Sequence, residues 1–209
     1  MNLGYDYGKL RTSVRYWLLG RGYYLAHEAM EFGLKHHTGV RKDGTPEFSH
    51  QIFQAQFLRT LEPWLVDAEG TFVTVFLHDV VEDIESVTLD MVRAQFGDTN
   101  AHSIDLMTNR WQDGTKKPKE SYYGAMVDDP RASIAKGIDR LHNHQSMQGV
   151  FDDEKRVRYM GETEEFILPM LKKARRKFPR QEPAYQNVKH VLLTQMELIR
   201  FHIPQGSQS

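Results

Sequence analysis

His78 and Asp79 stand side by side near the end of an apolar run, with Glu82 and Asp83 one helical turn further on. Glu82 is at i+4 from His78 and i+3 from Asp79, and Asp83 is at i+4 from Asp79, so a helix stacks all of them along one edge. Carboxylates on an otherwise hydrophobic helix are costly to bury unless they are paired or bind metal. Two other segments offer residues of the same types. His50 follows the loop Arg41-Lys42-Asp43-Gly44-Thr45-Pro46, and Asp139 sits within Ile138-Asp139-Arg140-Leu141-His142-Asn143. Two neutral imidazoles and two carboxylates make an N2O2 donor set. It suits a divalent first-row ion such as manganese or iron, and it leaves zinc open. The chain has no cysteine, which excludes a thiolate nucleophile, an iron–sulfur cluster, a disulfide framework and a Cys-ligated zinc.

Elements must bring these segments together, and the apolar spacing is helical nearly throughout. Leu10, Val14, Trp17 and Leu18 share one side of a helix over 8–19, stopped by Gly20 and Gly22. A second helix spans 22–37, then a loop runs from Thr38 to Glu47, and helical spacing resumes at Phe48. The apolar run carrying His78 predicts a helix from about Thr71 to Glu82. Thr88 reads as an N-cap with Gly97 closing its helix, and a short helix follows over 100–107. Residues 109–118 read as an exposed loop. Asp129-Pro130 opens a helix through about His142, which carries Asp139. A long helix from Asp153 to about Lys177, bent at Pro169, and a last one from Pro183 to about His202 complete the chain. Residues 204–209 read as a disordered tail. No strand alternation, internal repeat or interdomain linker interrupts this pattern, so the fold class is all-α in a single domain.

In order, Arg41-Lys42-x-Gly44-x-Pro46-x-x-x-His50, His78-Asp79-x-x-Glu82-Asp83 and Asp139-Arg140-Leu141-His142-Asn143 resemble the hydrolase domain of RelA/SpoT-type alarmone enzymes. Within that family the chain is most similar to the single-domain small alarmone hydrolases, from about Tyr23 to Phe178. Thr88–Gly97 before Thr108, and Glu162-Thr163 with Pro169, are supporting matches. The resemblance implies an HD-domain helical fold of about eight to ten helices over 22–203, preceded by an N-terminal extension helix over 1–21. It also implies a manganese-dependent pyrophosphohydrolase that removes the 3′-pyrophosphate of guanosine tetra- or pentaphosphate. By motif position, one Mn2+ ion would be held by His50, His78, Asp79 and Asp139, with Glu82 and Asp83 as the catalytic carboxylates. Arg41, Lys42 and Asn143 would contact the nucleotide or its phosphates, joined by Lys119, Lys155 and Tyr159. The chain departs from the family at Gln51 (usually Pro), Gly137-Ile138 (usually Leu-Ala), His144-Gln145 (usually Met-Arg) and Asn109-Arg110 (usually Lys-Leu). These departures spare every ligand and bear on substrate preference.

Two alternatives stay open. One is a related HD phosphohydrolase acting on another nucleotide: an adenosine alarmone, the 2′-phosphate of NADPH, or a deoxynucleoside monophosphate. The other is an antitoxin that neutralises a toxic alarmone synthetase. No synthetase domain is expected. Charge is split, with 9 Lys and Arg against 15 Asp and Glu over 1–105, and 18 against 13 over 106–209. The net charge of −1 gives no reason to expect a nucleic-acid partner. The basic run from Lys172 to Arg180 reads as a solvated helix face, because no aromatic stacking platform is interleaved. His36 and His37 read as surface residues at a helix end, and His142 as a packing or hydrogen-bonding group. With no signal-like segment and no long apolar stretch, a cytoplasmic location is expected. The first helix is a candidate homo-oligomer contact.

Overall fold

Helical spacing in the sequence becomes helix in the structure. The computed structural model describes residues 6–42, 44–111 and 113–203, and the tail over 204–209 lies outside them. The first two helices are α1 (Tyr7–Arg21) and α2 (Tyr24–His36). Between α2 and α3 (Ser49–Arg59) the chain forms a tight hairpin, with Arg41 N–H donating to Thr45 C=O and Gly44 N–H to Arg41 C=O, both at 2.9 Å. Gly44 has a φ of 82°, so the turn presenting Arg41 and Lys42 needs a residue without a Cβ.

Helix α4 (Ala68–Leu77) is the most apolar element, and every residue from Gly70 to Leu77 is buried. The expected single helix over 71–82 starts earlier and breaks at His78-Asp79, before the single turn α5 (Val80–Asp83). The start is moved by Asp67, whose side chain accepts from Gly70 N–H at 3.0 Å. The break has a local cause. His78 Nδ1 lies 2.9 Å from Val75 C=O, the acceptor that Asp79 N–H would use in an unbroken helix.

Thr88 caps α6 (Leu89–Phe96), accepting from Met91 N–H, and Gly97 separates it from α7 (Asp98–Met107). A second hairpin over 109–117 leads into α8 (Lys119–Met126), a helix that the sequence reading did not contain. Its Gly124 and paired tyrosines dilute the helical pattern, and it forms because Tyr122, Tyr123 and Met126 are buried. Asp129 and Pro130 open α9 (Pro130–Ser146), with the Asp129 carboxylate accepting from Arg131 and Ala132 N–H at 2.8 Å. The last helices are α10 (Asp153–Glu162), α11 (Leu168–Lys177) and α12 (Glu182–His202). A π-helical turn over Thr163–Ile167 joins α10 to α11, immediately before Pro169. Proline has no N–H for the Glu165 carbonyl, and the wider turn accommodates that lost bond. With α10–α11 counted as one rod through the π-turn, and the single turn α5 left out, the described residues form ten helices.

Helix α9 is the hub, packed against α3, α4, α7, α11 and α12. Helix α1 shares the main core through Leu10, Val14 and Leu18, and Arg59 lies 5.1 Å above its Trp17 ring. A smaller cluster of Met147, Met160, Met196, Ile199 and Ile203 closes the far end of α9, α10 and α12. One close approach fixes α2 on this frame. A Cβ at Gly33 would fall 2.2 Å from the ring of the fully buried Phe48. The start of α3, the end of α4 and the middle of α9 therefore converge.

Candidate metal centre and flanking clefts

At that convergence stand His50 in the first turn of α3, His78 at the break after α4, and Asp139 in α9. One donor atom from each lies within 4.8 Å of the others, and all three residues are buried. Val75 C=O accepts from His78 Nδ1–H at 2.9 Å, which turns Nε2 toward the site. Nε2 lies 2.9 Å from Asp79 Oδ2 and 3.7 Å from Asp139 Oδ1, yet has no hydrogen-bond partner of sound geometry. Burial opposes a charge on His78, but the carboxylates of Asp79 and Asp139 outweigh it and push the ring up to about 10. The surroundings thus call for positive charge at this nitrogen, which either a proton or a metal cation provides.

His50 Nε2 lies 3.0 Å from Asp139 Oδ1, and its Nδ1 lies 2.7 Å from His142 Nδ1. Burial lowers the pKa of His50, so the ring is neutral and one of the two facing Nδ1 atoms carries the proton. With His50 as that donor, its Nε2 lone pair faces Asp139, and His142 steadies the ring from behind. The Gln54 amide closes the same side, 2.5 Å from Nε2. Asp139 divides its oxygens: Oδ1 faces the imidazoles and accepts from Asn143 Nδ2 at 2.9 Å, while Oδ2 is held by Lys136 Nζ at 2.9 Å. Burial would raise its pKa, but Lys136, then His50 and His78, hold it well below the carboxylate range. Asp79, the fourth expected ligand, lies against His78 but outside the three-residue cluster. Burial works to raise its pKa, and the charge of His78 brings it below the ordinary value. One imidazole kept neutral by burial, a second whose unpartnered nitrogen calls for a cation, and an ionised carboxylate fit a divalent first-row metal.

Two clefts flank this centre. The first, about 340 Å3, is lined by Arg41, Lys42, Asn143 and Lys155 with Met147 and Phe151. It gathers four of the six residues expected to contact substrate, and Asn143 joins it directly to Asp139. Phe151 was not singled out in the sequence; its ring carries the Lys155 ammonium at 3.6 Å. The other two expected residues are committed elsewhere. Lys119 pairs with Glu162 Oε2 at 2.7 Å, and Tyr159 lies beneath the Arg140 guanidinium at 4.7 Å and beside Phe151.

The second cleft, about 940 Å3, has Glu82 in its wall beside Thr108, Arg110, Trp111 and Lys117. Asn109 N–H donates to Glu82 Oε2 at 3.1 Å, so one oxygen is fixed. Asp83, next in the chain, keeps an exposed surface, yet desolvation of its carboxyl and then repulsion from Asp79, Glu82 and Glu47 push it up to about 6. His37 corrects a sequence expectation, because it is buried rather than at the surface. The chain turns inward at the end of α2, so the ring faces Phe48 at 6.0 Å with Nδ1 3.8 Å from Glu47.

The helical frame and the His–Asp centre are those of one class of protein: residues 29–169 match the HD domain family, and the chain belongs to it. Among curated relatives, the chain is 33% identical over 141 residues to a probable GTP pyrophosphokinase of Mycobacterium leprae, covering 65% of this chain and 17% of that protein. It is 27% identical over 172 residues to a probable guanosine-3′,5′-bis(diphosphate) 3′-pyrophosphohydrolase of Synechocystis, covering 79% of this chain and 21% of that protein. The chain thus spans about a fifth of these relatives' length. Its fold is also that of a solved structure described as a metazoan ortholog of SpoT that hydrolyzes ppGpp. That likeness has a TM-score of 0.57 at 20% identity, over 79% of this chain and 94% of the other.

Proposed function

We propose that this chain is a metal-dependent pyrophosphohydrolase of guanosine tetra- and pentaphosphate, releasing pyrophosphate and GDP or GTP. The observation that carries the reading is the buried His50–His78–Asp139 cluster, hydrogen-bonded through Asn143 to the wall of a cleft lined by Arg41, Lys42 and Lys155. Three cations and one amide in a single cleft suit a polyphosphorylated nucleotide, because charge-assisted hydrogen bonds to phosphate are the strong ones. The reading is supported by the relative from Synechocystis, whose name states this activity.

In this scheme His50, His78 and Asp139, together with Asp79, would hold one divalent ion; manganese suits the nitrogen and oxygen donors. The ion supplies Lewis acidity and lowers the pKa of water. Glu82, with Oε2 tied to Asn109 N–H, keeps its other oxygen for orienting the attacking water. Asp83, pushed up to about 6 by burial and its carboxylate neighbours, is suited to hold a proton near the leaving oxygen. Arg41, Lys42 and Lys155 offset charge on the phosphates. Water adds to phosphorus, the bond from phosphorus to the ribose 3′-oxygen breaks, and that oxygen takes a proton.

The test is incubation of purified protein with Mn2+ and ppGpp, with products separated by anion-exchange chromatography. GDP and pyrophosphate in equal amounts, suppressed by EDTA and restored by Mn2+, are expected. Release of orthophosphate instead would mean cleavage of a phosphoanhydride bond rather than of the bond to the ribose 3′-oxygen, and would overturn this reading.

A further inference from the structure

Lys136 is a buried lysine at i−3 from Asp139 on α9, and the proposed mechanism gives it no role. Its side chain is 15% exposed, and its ammonium lies 2.9 Å from Asp139 Oδ2. The same ammonium lies 5.7 Å from the centre of the Tyr122 ring, within cation–π range. Tyr122 in turn donates its O–H to the Met107 carbonyl at 2.6 Å, at the C-terminus of α7. Two residues further along, Asn109 N–H holds Glu82 Oε2 at 3.1 Å.

We propose that Lys136 and Tyr122 are positioning residues that link the metal-facing carboxylate of Asp139 to the carboxylate of Glu82 through one continuous chain of contacts. At one end, the chain turns Oδ2 away from the imidazoles, so that Asp139 offers a metal one oxygen. At the other, it sets the end of α7 and hence the backbone N–H that fixes Glu82. Burying an ammonium is costly, and this one is offset by the Asp139 carboxylate on one side and the face of the Tyr122 ring on the other. A lysine whose only purpose was solubility would have no reason to lie here. The inference rests on the proposed metal site, and partner groups of this kind orient the ligands they touch.

The decisive variants are Lys136→Met, Lys136→Arg and Tyr122→Phe, each loaded with Mn2+. Two readouts need no substrate: Mn2+ affinity by electron paramagnetic resonance, and relaxation of solvent water protons by bound Mn2+. Lys136→Met should keep Mn2+ affinity at or above wild type, because a nearby cation is gone. Its relaxation enhancement should fall, because both oxygens of Asp139 become free to close on the ion and displace water. Turnover of ppGpp should drop about 10- to 100-fold with KM within a few-fold, and Lys136→Arg should restore most of it. Tyr122→Phe should lower turnover while leaving Mn2+ affinity and relaxation unchanged.

Wild-type relaxation and turnover in Lys136→Met would overturn the proposal. So would parallel loss of folding and Mn2+ binding in Lys136→Met if Tyr122→Phe behaved as wild type. If the wild-type protein itself leaves ppGpp intact, the proposed reaction fails, and the two Mn2+ readouts still decide the role of Lys136.

Discussion

At the scale of single residues, chemistry is concentrated where hydrogen bonds leave one ring nitrogen of each histidine pointing at Asp139. The Val75 carbonyl does this for His78 and the His142 ring for His50. Asp139→Asn keeps the shape and the contact with Asn143 but removes the charge that both imidazoles face. It is expected to abolish the rise in melting temperature on adding Mn2+ and to lower turnover at least ~100-fold. A retained thermal shift would place the ion elsewhere. The residue types and order of this centre were readable in the sequence, because His78-Asp79 and Asp139-Arg140-Leu141-His142-Asn143 are local patterns. What surrounds them was less readable. Lys119 follows Pro118 as the expected phosphate-binding lysine should, but whether a lysine faces solvent or an acid depends on a residue 43 positions away, here Glu162. Lys136 left a signal in its i−3 spacing from Asp139, and His37 left none, since its burial follows from the inward turn after α2.

At the scale of elements, α8, α9 and α10 are tied by charged groups rather than by apolar packing alone. Glu162 accepts from Tyr123 Oη at 2.7 Å, pairs with Lys119 at 2.7 Å and also pairs with Arg140. Burial works to raise its pKa, but Lys119, Arg140 and Tyr123 hold the carboxyl down at about 2. A carboxylate with a depressed folded pKa stabilises the fold above its unfolded value of 4.5, and that contribution is lost as pH falls from there through about 2. His144 adds to the same trend over a higher range. Burial, then Arg140, lower it to about 4, so stability falls as pH drops from 6.5 through about 4. Glu162→Gln should therefore destabilise the protein by about 2–4 kcal/mol at pH 7 and flatten the acid limb of its stability curve, as chemical denaturation at stepped pH would show. An unchanged acid limb would mean that the network contributes nothing net.

The packing of α2 is tested separately. Gly33→Ala places a methyl group 2.2 Å from Phe48 and 3.2 Å from the Phe76 carbonyl, so a loss of about 1–3 kcal/mol is expected despite the better helix propensity of alanine. Helix existence was mostly visible from spacing and caps, as at Thr88, Gly97 and Asp129-Pro130. The break at His78-Asp79 was not, because it follows from one side chain taking a backbone carbonyl.

At the scale of the whole molecule, the described residues form ten helices with α9 as their hub, and none is long and apolar enough to cross a membrane. The charge split along the chain is not kept apart in the fold: Arg41 and Lys42 from the acidic half meet Asn143 and Lys155 from the basic half across one cleft, and Asp139 from the basic half joins His50 and His78. Because the ion binds only where α3, α4 and α9 have converged, it should stabilise the whole fold. At a concentration one hundred times its dissociation constant, the gain is about 2.7 kcal/mol. For a chain of this size, that raises the melting temperature by roughly 5–10 °C, measurable by calorimetry with and without EDTA. The central claim is the pairing of this centre with a 3′-pyrophosphate, and chromatography of ppGpp after incubation with the Mn2+-loaded protein tests it most directly. The account predicts stoichiometric GDP and pyrophosphate, abolished by EDTA and by Asp139→Asn. Intact ppGpp in the presence of a protein that demonstrably binds Mn2+ would contradict it.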